Sequence, residues 1–158
     1  MFGKDFWNDV TSVGSLFFFL LVIVMSFVLN QPFLGTQLII ALVSCYIIGV
    51  PIKLFFFQRR PNRQTYKSLV QKFDAASFPS VHSMRVICLA VILAFFLKNI
   101  VFSVIALGLV IAVMHSRIRL HKHYMGDILA GAAFGIIIST LVIWLEPALA
   151  VFALLSFF

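Results

Sequence analysis

Long apolar runs separated by short polar segments dominate the chain. The first run extends from Val10 to Ile52, and its 43 positions include no charged residue. One bilayer crossing needs about 20 apolar residues, so this run is long enough for two. Pro32 has no amide hydrogen with which to continue a helix, and it therefore predicts a tight turn at residues 30–32. Three later runs predict three more helices.

This pattern predicts an all-α fold, a polytopic membrane helix bundle of about five transmembrane spans with short interfacial helices. We expect a single membrane-embedded domain over residues 1–158, with spans near 11–29, 33–57, 80–97, 99–115 and 124–145. Residues 1–10 are expected to form an interfacial helix, with a frayed terminus as the alternative. A second surface helix is expected where four apolar residues recur at helical spacing, namely Tyr66, Leu69, Val70 and Phe73.

The apolar tail at residues 148–158 is too short to cross a bilayer. Two interpretations of it stay open, an interfacial segment and a bent extension of the fifth helix. No small-residue cleavage site follows the first apolar run, so we expect the first span to be retained.

The composition supports a membrane protein. Hydrophobic residues make up 63% of the chain and charged residues 11%, whereas soluble domains average about 25% charged residues. The net charge is +7, and the basic residues fall in loops next to the spans. Anionic membrane lipids or a phosphate-bearing substrate are therefore the expected partners, and nucleic acid is not. Cys45 and Cys88 lie within apolar runs and are expected to be small core residues.

The number of spans determines which polar segments share a side of the membrane. With five spans, the second span returns to the side of the N-terminus near Lys53, and the third leaves that side at Ser80. The fourth returns at Ser116, and the fifth leaves from Asp127. Every segment with candidate chemistry is therefore expected on one side.

The segment from Ser116 to Asp127 carries the clearest chemistry. If the fifth helix begins near Tyr124, His123 and Asp127 share one face, with the carboxylate about 5–6 Å from the imidazole. Such a carboxylate fixes the tautomer of the ring and leaves the other nitrogen free as a nucleophile. Arg117 adds a planar donor fork that suits phosphate oxygens. A polar loop at the membrane surface is the alternative.

Two earlier segments carry further candidates. Lys53 and Arg60 flank the end of the second span, where a lysine that reaches the interface and a loop cation are the alternatives. Ser80 is placed as the N-cap of the third span, so that the free amides of the first helical turn form an anion-binding end. His82 follows, and an interfacial histidine is the alternative there.

Together, the three segments resemble the signature of the type 2 phosphatidic acid phosphatase family. That signature is Lys, six residues, Arg-Pro; then Pro-Ser-Gly-His; then Ser-Arg, five residues, His, three residues, Asp. In this sequence the matching residues are Lys53, Arg60-Pro61, Pro79-Ser80-Val81-His82, Ser116-Arg117, His123 and Asp127. Val81 stands where the family has Gly, which implies a tighter or slightly displaced phosphate pocket.

The resemblance implies an integral-membrane phosphatase that hydrolyses a lipid phosphate or pyrophosphate monoester. In this family reading, His123 attacks phosphorus and becomes a phosphohistidine, Asp127 orients it, and His82 protonates the leaving oxygen and then activates water. The phosphoryl oxygens would be bound by Lys53, Arg60, Ser80, Val81 and Arg117.

The resemblance also implies that no cofactor and no metal is needed, because fixed cations neutralise the phosphoryl charge. His115, His121 and His123 lie within nine residues, which raises the alternative of a metal site. His121 and His123 would not share a helical face, and only one carboxylate is near, so this alternative is disfavoured. Arg85 either reaches the substrate or extends to the interface, and it is left out of the predicted site.

Two other functions remain open from the sequence. One is a phosphotransferase of the same fold that passes the phosphoryl group to another lipid or sugar, and the other is a non-catalytic lipid-binding module. Candidate substrates within the family are undecaprenyl pyrophosphate, phosphatidylglycerol phosphate, phosphatidic acid and the 1-phosphate of lipid A. The oligomeric state also stays open.

The resemblance implies a multi-pass protein of a bacterial or archaeal cytoplasmic membrane. The distribution of basic residues taken alone would place the catalytic side in the cytoplasm. The resemblance implies otherwise, because bacterial members of the family usually work on the outer face, and an enzyme for anionic lipids needs a cationic approach surface in any case. We therefore expect the active site on the extracytoplasmic face.

Overall fold

Six helices form the described part of the chain. The computed structural model describes residues 3–62, 67–68, 71 and 75–145. The helices are α1 (Lys4–Ser12), α2 (Leu16–Val28), α3 (Pro32–Phe55), α4 (Val81–Leu97), α5 (Ile100–Arg119) and α6 (Met125–Trp144). The expected surface helix around Tyr66, Leu69, Val70 and Phe73 and the tail 148–158 lie outside the described residues.

The helices confirm a polytopic all-α membrane fold. Four segments are long and apolar enough to cross a bilayer, namely Lys4–Val28, Pro32–Phe55, Ile100–Arg119 and Met125–Trp144. The fifth, α4, is a shorter apolar helix of 17 residues. It lies at the centre of the bundle and packs against α3, α5 and α6. Its buried residues join those of α2, α3 and α6 in one apolar core around Leu38, Met84 and Ile92.

The first span has a break that the sequence analysis did not predict. Instead of an interfacial helix over residues 1–10 and a span over 11–29, α1 continues to Ser12 and α2 starts at Leu16. Ser15 caps α2, because its hydroxyl accepts the amide hydrogen of Phe18 at 3.1 Å. The residues between the two helices therefore form a turn, and this turn contacts the candidate site.

Two turns follow the sequence prediction closely. Pro32 is the first residue of α3, where its missing amide hydrogen has no cost. Lys98 ends α4 in a left-handed conformation, and the side chain of Asn99 caps α5 by accepting the amide hydrogen of Phe102 at 3.1 Å. Cys45 and Cys88 are buried free thiols, with their sulfur atoms 3.7 Å apart.

Two glycines of α6 bring it unusually close to α4. A Cβ atom at Gly131 would collide with the carbonyl oxygen of Ser80 and lie 3.0 Å from Cβ of Ser83. A Cβ atom at Gly135 would lie 2.8 Å from the carbonyl oxygen of Met84. The absence of side chains at these two positions therefore sets the distance between the helices that carry the candidate site.

Candidate active site

The cationic segment after α3 lies against the segment that leads into α4. The amide of Ser77 donates to the carbonyl of Gln58 at 2.7 Å. The carbonyl of Ala76 accepts hydrogen bonds from Lys53 Nζ at 2.7 Å and from Arg60 Nε at 3.4 Å. Two cations that are seven residues apart in the sequence are thus held beside the start of α4.

Ser80 caps α4 and also joins it to α6. Its hydroxyl oxygen accepts from the amide of Ser83 at 3.4 Å and from the Ser83 hydroxyl at 3.0 Å. Its own amide donates to the carbonyl oxygen of Asp127 at 3.0 Å. The predicted N-cap is therefore confirmed, and this amide is already occupied by a partner in the protein.

The end of α5 differs from the sequence prediction. Ser116 and Arg117 were expected after the fourth span ends near His115, but α5 continues to Arg119. The helix ends in a Schellman motif, in which His121 has a φ of 51° and its amide donates to the carbonyl of Ile118 at 2.9 Å. The carbonyl of Arg117 accepts hydrogen bonds from the amides of the two residues after His121, namely Lys122 at 3.0 Å and His123 at 3.4 Å.

This loop corrects the expected geometry of the histidine–aspartate pair. His123 precedes Tyr124, the N-cap of α6, so it does not share a helix with Asp127. The His123 Nδ1 to Asp127 Oδ2 distance is 3.8 Å, which is too long for a hydrogen bond. Ser77 lies between them, because its hydroxyl donates to Asp127 Oδ2 and its oxygen is 3.4 Å from His123 Nδ1. Asp127 also accepts the amide of Tyr124 at 2.8 Å.

Polar side chains from the three segments surround one cavity of about 220 Å³. Four cations and two imidazoles contribute to its wall. The lining residues are Tyr46, Lys53, Arg60, Val81, His82, Arg85, Arg117 and His123. Six of the eight predicted site residues therefore meet here. Ser80 and Asp127 are not among the lining residues, and both are buried next to them.

Arg117 and Arg85 are both at least nine-tenths buried, with 7% and 5% of their surface exposed. Arg117 Nη1 donates to the hydroxyl of Thr11 in α1 at 3.0 Å. Within the described residues, Nε of each arginine is buried without a hydrogen-bond partner. Buried donors are normally satisfied, so each of these arginines keeps an unused donor next to the cavity.

His123 is neutral in this environment. Burial lowers its pKa to about 4, and the nearby cations Arg117, Arg60 and Lys53 act in the same direction against the opposing effect of Asp127. A neutral imidazole has a free lone pair on one ring nitrogen at neutral pH. His123 is thus in the protonation state that a nucleophile requires.

Val81 is accommodated by a glycine on the neighbouring helix. A Cβ atom at Gly49 in α3 would lie 3.0 Å from Cγ2 of Val81. The valine side chain therefore occupies space that Gly49 leaves open, although Val81 still contributes to the cavity wall. This packing gives a structural account of how the chain tolerates Val at the position of the family Gly.

A larger groove of about 610 Å³ lies beside the cavity and is also cationic. Its lining includes Lys4, Arg119 and His121. Burial lowers the pKa of Lys122, and repulsion from Arg60, Arg117 and Lys4 acts in the same direction. Lys122 therefore lies near cations of the cavity and near a cation of the groove. An anionic molecule would therefore meet positive charge before it reached the cavity.

Neither His121 nor His115 is among the lining residues of the cavity. His121 occupies the left-handed position that ends α5, and the ring of His115 packs 5.2 Å from the ring of Trp7 in α1. Among the residues with described positions, no group of three His, Cys, Asp or Glu side chains is arranged to hold a metal ion.

The sequence analysis missed Ser77, Arg85 and Thr11 as site residues. Arg85 had a usable signal, because it lies one helical turn after His82. Ser77 and Thr11 had none, since their partners Asp127 and Arg117 are 50 and 106 residues away in the sequence.

Comparison with known proteins connects this site to a family. A family model, described as the PAP2 superfamily, matches residues 34–150. A comparison of the sequence with curated proteins gave no significant match.

Two solved structures have a similar fold. One is LpxE of Aquifex aeolicus, with a TM-score of 0.75 and 20% identity over 89% of this chain and 84% of that one. The other is a transmembrane PAP2-type phosphatidylglycerolphosphate phosphatase of Bacillus subtilis. It has a TM-score of 0.75 and 23% identity over 92% of this chain and 77% of that one.

Proposed function

This chain belongs to the PAP2 superfamily, and from that premise we propose that it is a membrane phosphatase acting on a lipid phosphate or lipid pyrophosphate. The Bacillus subtilis protein of similar fold is a phosphatidylglycerolphosphate phosphatase, which supports a lipid substrate. The proposed reaction is hydrolysis through a phosphohistidine on His123, without a metal ion.

The composition of the cavity is the main support for this proposal. It combines four cations with two imidazoles at the ends of apolar helices, where a lipid headgroup would lie. Phosphoryl transfer passes through a loose transition state with charge on the equatorial oxygens, so fixed cations supply most of the stabilisation that is needed. Lys53, Arg60 and Arg117 are held for this task by Ala76 and Thr11.

The nucleophile is neutral His123, whose Nε2 atom would attack phosphorus while the bond to the leaving oxygen breaks. Water then attacks the phosphohistidine and releases phosphate. Asp127 stabilises the positive charge that the ring carries in the intermediate. The N-terminus of α4, with Ser80 and Val81, adds its dipole to the binding of the phosphoryl oxygens.

Phosphate release in detergent micelles tests the proposal. The panel is undecaprenyl pyrophosphate, phosphatidylglycerol phosphate, phosphatidic acid and the 1-phosphate of lipid A, with water as the sole acceptor. We expect at least one lipid to release phosphate, and we expect it to be preferred over a short-chain soluble ester. His123→Ala should abolish turnover, His82→Ala should nearly abolish it, and Asp127→Asn should lower it by about two or more orders of magnitude. Ser139→Ala, a buried serine of α6 away from the site, is the control.

The outcome also separates the alternatives. Phosphate transfer that requires an added lipid or sugar acceptor would identify a phosphotransferase. Tight lipid binding without phosphate release would identify a non-catalytic module. Full activity in folded His123→Ala protein would rule out the covalent mechanism.

A further inference from the structure

Ser77 is a buried hydroxyl between the nucleophile and the carboxylate, and the family motifs supply no role for it. In the family reading Asp127 orients His123 directly, but His123 Nδ1 and Asp127 Oδ2 are 3.8 Å apart, which is too long for a hydrogen bond. The Ser77 hydroxyl contacts both side chains, donating to Asp127 Oδ2 and lying 3.4 Å from His123 Nδ1. The carboxylate therefore reaches the ring through Ser77.

The hydrogens in these contacts follow from the donors and acceptors present. Asp127 lies in the first turn of α6, where the helix dipole favours the ionised form, and its Oδ2 also accepts the amide of Tyr124 at 2.8 Å. An ionised carboxylate has no hydrogen, so the hydrogen between it and Ser77 belongs to the hydroxyl. The serine oxygen then has only lone pairs left for His123. The hydrogen in that contact must come from Nδ1.

This assignment leaves the reactive nitrogen free. A neutral imidazole carries one ring hydrogen, and with that hydrogen on Nδ1 the lone pair of Nε2 is unprotonated. Nδ1 faces Ser77, which is fully buried, whereas the His123 ring also lines the cavity. The lone pair available to attack phosphorus is therefore on Nε2.

Backbone hydrogen bonds hold both ends of this chain of contacts. The amide of Ser77 donates to the carbonyl of Gln58 at 2.7 Å, and the carbonyl of Asp127 accepts the amide of Ser80 at 3.0 Å. Ser77, Asp127 and His123 are 0%, 1% and 3% exposed, so bulk water does not compete for their hydrogen bonds. The 3.4 Å contact is long, as catalytic hydrogen bonds often are before substrate binds.

We propose that Ser77 is a positioning residue that relays Asp127 to His123, fixes the ring hydrogen on Nδ1 and keeps the carboxylate close to the phosphohistidine cation. This inference rests on the proposed phosphatase function. In the first step Nε2 bonds to phosphorus, and the bond from phosphorus to the leaving oxygen breaks. The electron pair goes to that oxygen, which takes its proton from His82.

Nδ1 keeps its hydrogen throughout the reaction, so the phosphorylated ring is a cation that faces Ser77 and Asp127. In the second step water attacks phosphorus and gives a proton back to His82. The bond between phosphorus and Nε2 breaks, and its electron pair returns to the ring. The ring is then neutral again, with its hydrogen still on Nδ1.

The position of the ring hydrogen can be measured without any substrate. Protonated and unprotonated ring nitrogens have different chemical shifts, so nitrogen NMR of protein with isotope-labelled histidine reports the tautomer in detergent micelles. The chain has four histidines, and the spectrum of His123→Ala identifies the signals of His123. At neutral pH we expect the hydrogen on Nδ1 in the wild type and in Ser77→Thr, and a mixture of both tautomers in Ser77→Ala.

A hydrogen on Nε2 in the wild type would overturn the inference, and so would an unchanged tautomer in folded Ser77→Ala. If Ser77→Ala does not fold, the wild-type tautomer decides. Hydrolysis of a lipid by protein with the hydrogen on Nε2 would remove the Ser77 inference alone. No phosphate release from any lipid would remove the phosphatase proposal, and with it the catalytic role of Ser77, whatever the tautomer.

Kinetics with a lipid that the wild type hydrolyses test the role in catalysis. Ser77→Ala should reduce kcat about 100-fold with little change in KM, because substrate contacts remain and the nucleophile loses its orientation. Rapid-quench trapping with labelled substrate should show slower formation of the phosphoenzyme. Ser77→Thr keeps the hydroxyl and should recover at least part of the rate.

Ser139→Ala is the matched control and should have wild-type kcat. Ser139 is as fully buried as Ser77, and its hydroxyl donates within its own helix, to the carbonyl of Gly135 at 2.8 Å. Wild-type kcat in Ser77→Ala, or a loss confined to KM, would contradict the relay. A folded Ser77→Thr protein as slow as Ser77→Ala would also count against it.

A double variant shows whether Ser77 acts through Asp127. Asp127→Asn keeps an oxygen that can accept from Tyr124 and Ser77, but it removes the negative charge. Two independent losses of about 100-fold each would multiply to about 10⁴-fold. In a relay the two residues act as a unit, so Ser77→Ala combined with Asp127→Asn should be within about tenfold of the slower single variant. Full multiplication of the two losses would show that Ser77 does not act through the carboxylate.

Discussion

The contact between α4 and α6 offers the sharpest test of how the fold positions the site. Gly131→Ala adds one methyl group where the carbonyl oxygen of Ser80 and Cβ of Ser83 already lie. Ordinary contacts begin near 3.4 Å, so relief of the 3.0 Å approach to Ser83 alone needs a shift of about 0.4 Å. The backbone of Ser80 must move further, because its carbonyl accepts the amide of Met84 at 3.1 Å and cannot rotate away without losing that hydrogen bond.

This shift is transmitted directly to the chemistry. The amide of Ser80 donates to the carbonyl of Asp127, and His82 follows Ser80 in the first turn of α4. A shift of Ser80 away from α6 therefore moves His82 away from Asp127 and from the neighbouring His123. A misplacement of about 1 Å at a reacting centre can cost about 10²-fold in rate. We expect Gly131→Ala to lower kcat/KM by about 10–100-fold and to destabilise the protein by about 1–3 kcal/mol.

Gly108→Ala is the matched control. It makes the same substitution in α5, where nothing lies within 4 Å of the new methyl group. Both variants gain about 1 kcal/mol of helix propensity, so the difference between them isolates the packing effect. Phosphate release and thermal unfolding in detergent are measured for both. Near wild-type activity in Gly131→Ala would refute the claim that this close approach sets the site geometry.

Four further predictions concern the site and its surroundings. Because burial lowers the pKa of His123 to about 4, its nucleophilic neutral form persists below pH 6.5, and kcat should fall on the acid side near pH 4; half-loss near pH 6.5 would contradict this. Activity should survive EDTA, because cations of the protein line the cavity, and loss that magnesium restores would show a metal requirement. His121→Gly should keep full activity and gain stability in thermal unfolding, since glycine adopts a φ of 51° without strain; a marked loss of activity would show that the ring has a further role. A single Cys in place of exposed Lys67, in a variant lacking Cys45 and Cys88, should react with an impermeant maleimide in intact spheroplasts. Labelling only after lysis would place the active site in the cytoplasm.

The membrane fold and most of the cavity wall could be predicted from the sequence. Uncharged runs must form helices in a bilayer, because the backbone has no other hydrogen-bond partners there. Pro32 and Ser80 mark helix starts through local chemistry, and the structure agrees with both. The parity of the spans was enough to expect Lys53, Arg117 and His123 on one side.

The connections between the reacting groups depend on how the helices pack and could not be predicted. Ser77 reaches Asp127 across 50 residues, and Arg117 reaches Thr11 across 106, so no local pattern could predict these pairs. The Ser80 cap of α4 could be predicted from local sequence, but the distance between helices depends on which glycines face which carbonyls. That distance is a property of the packed bundle, and Gly131 sets it at the site only because Ser80 lies opposite.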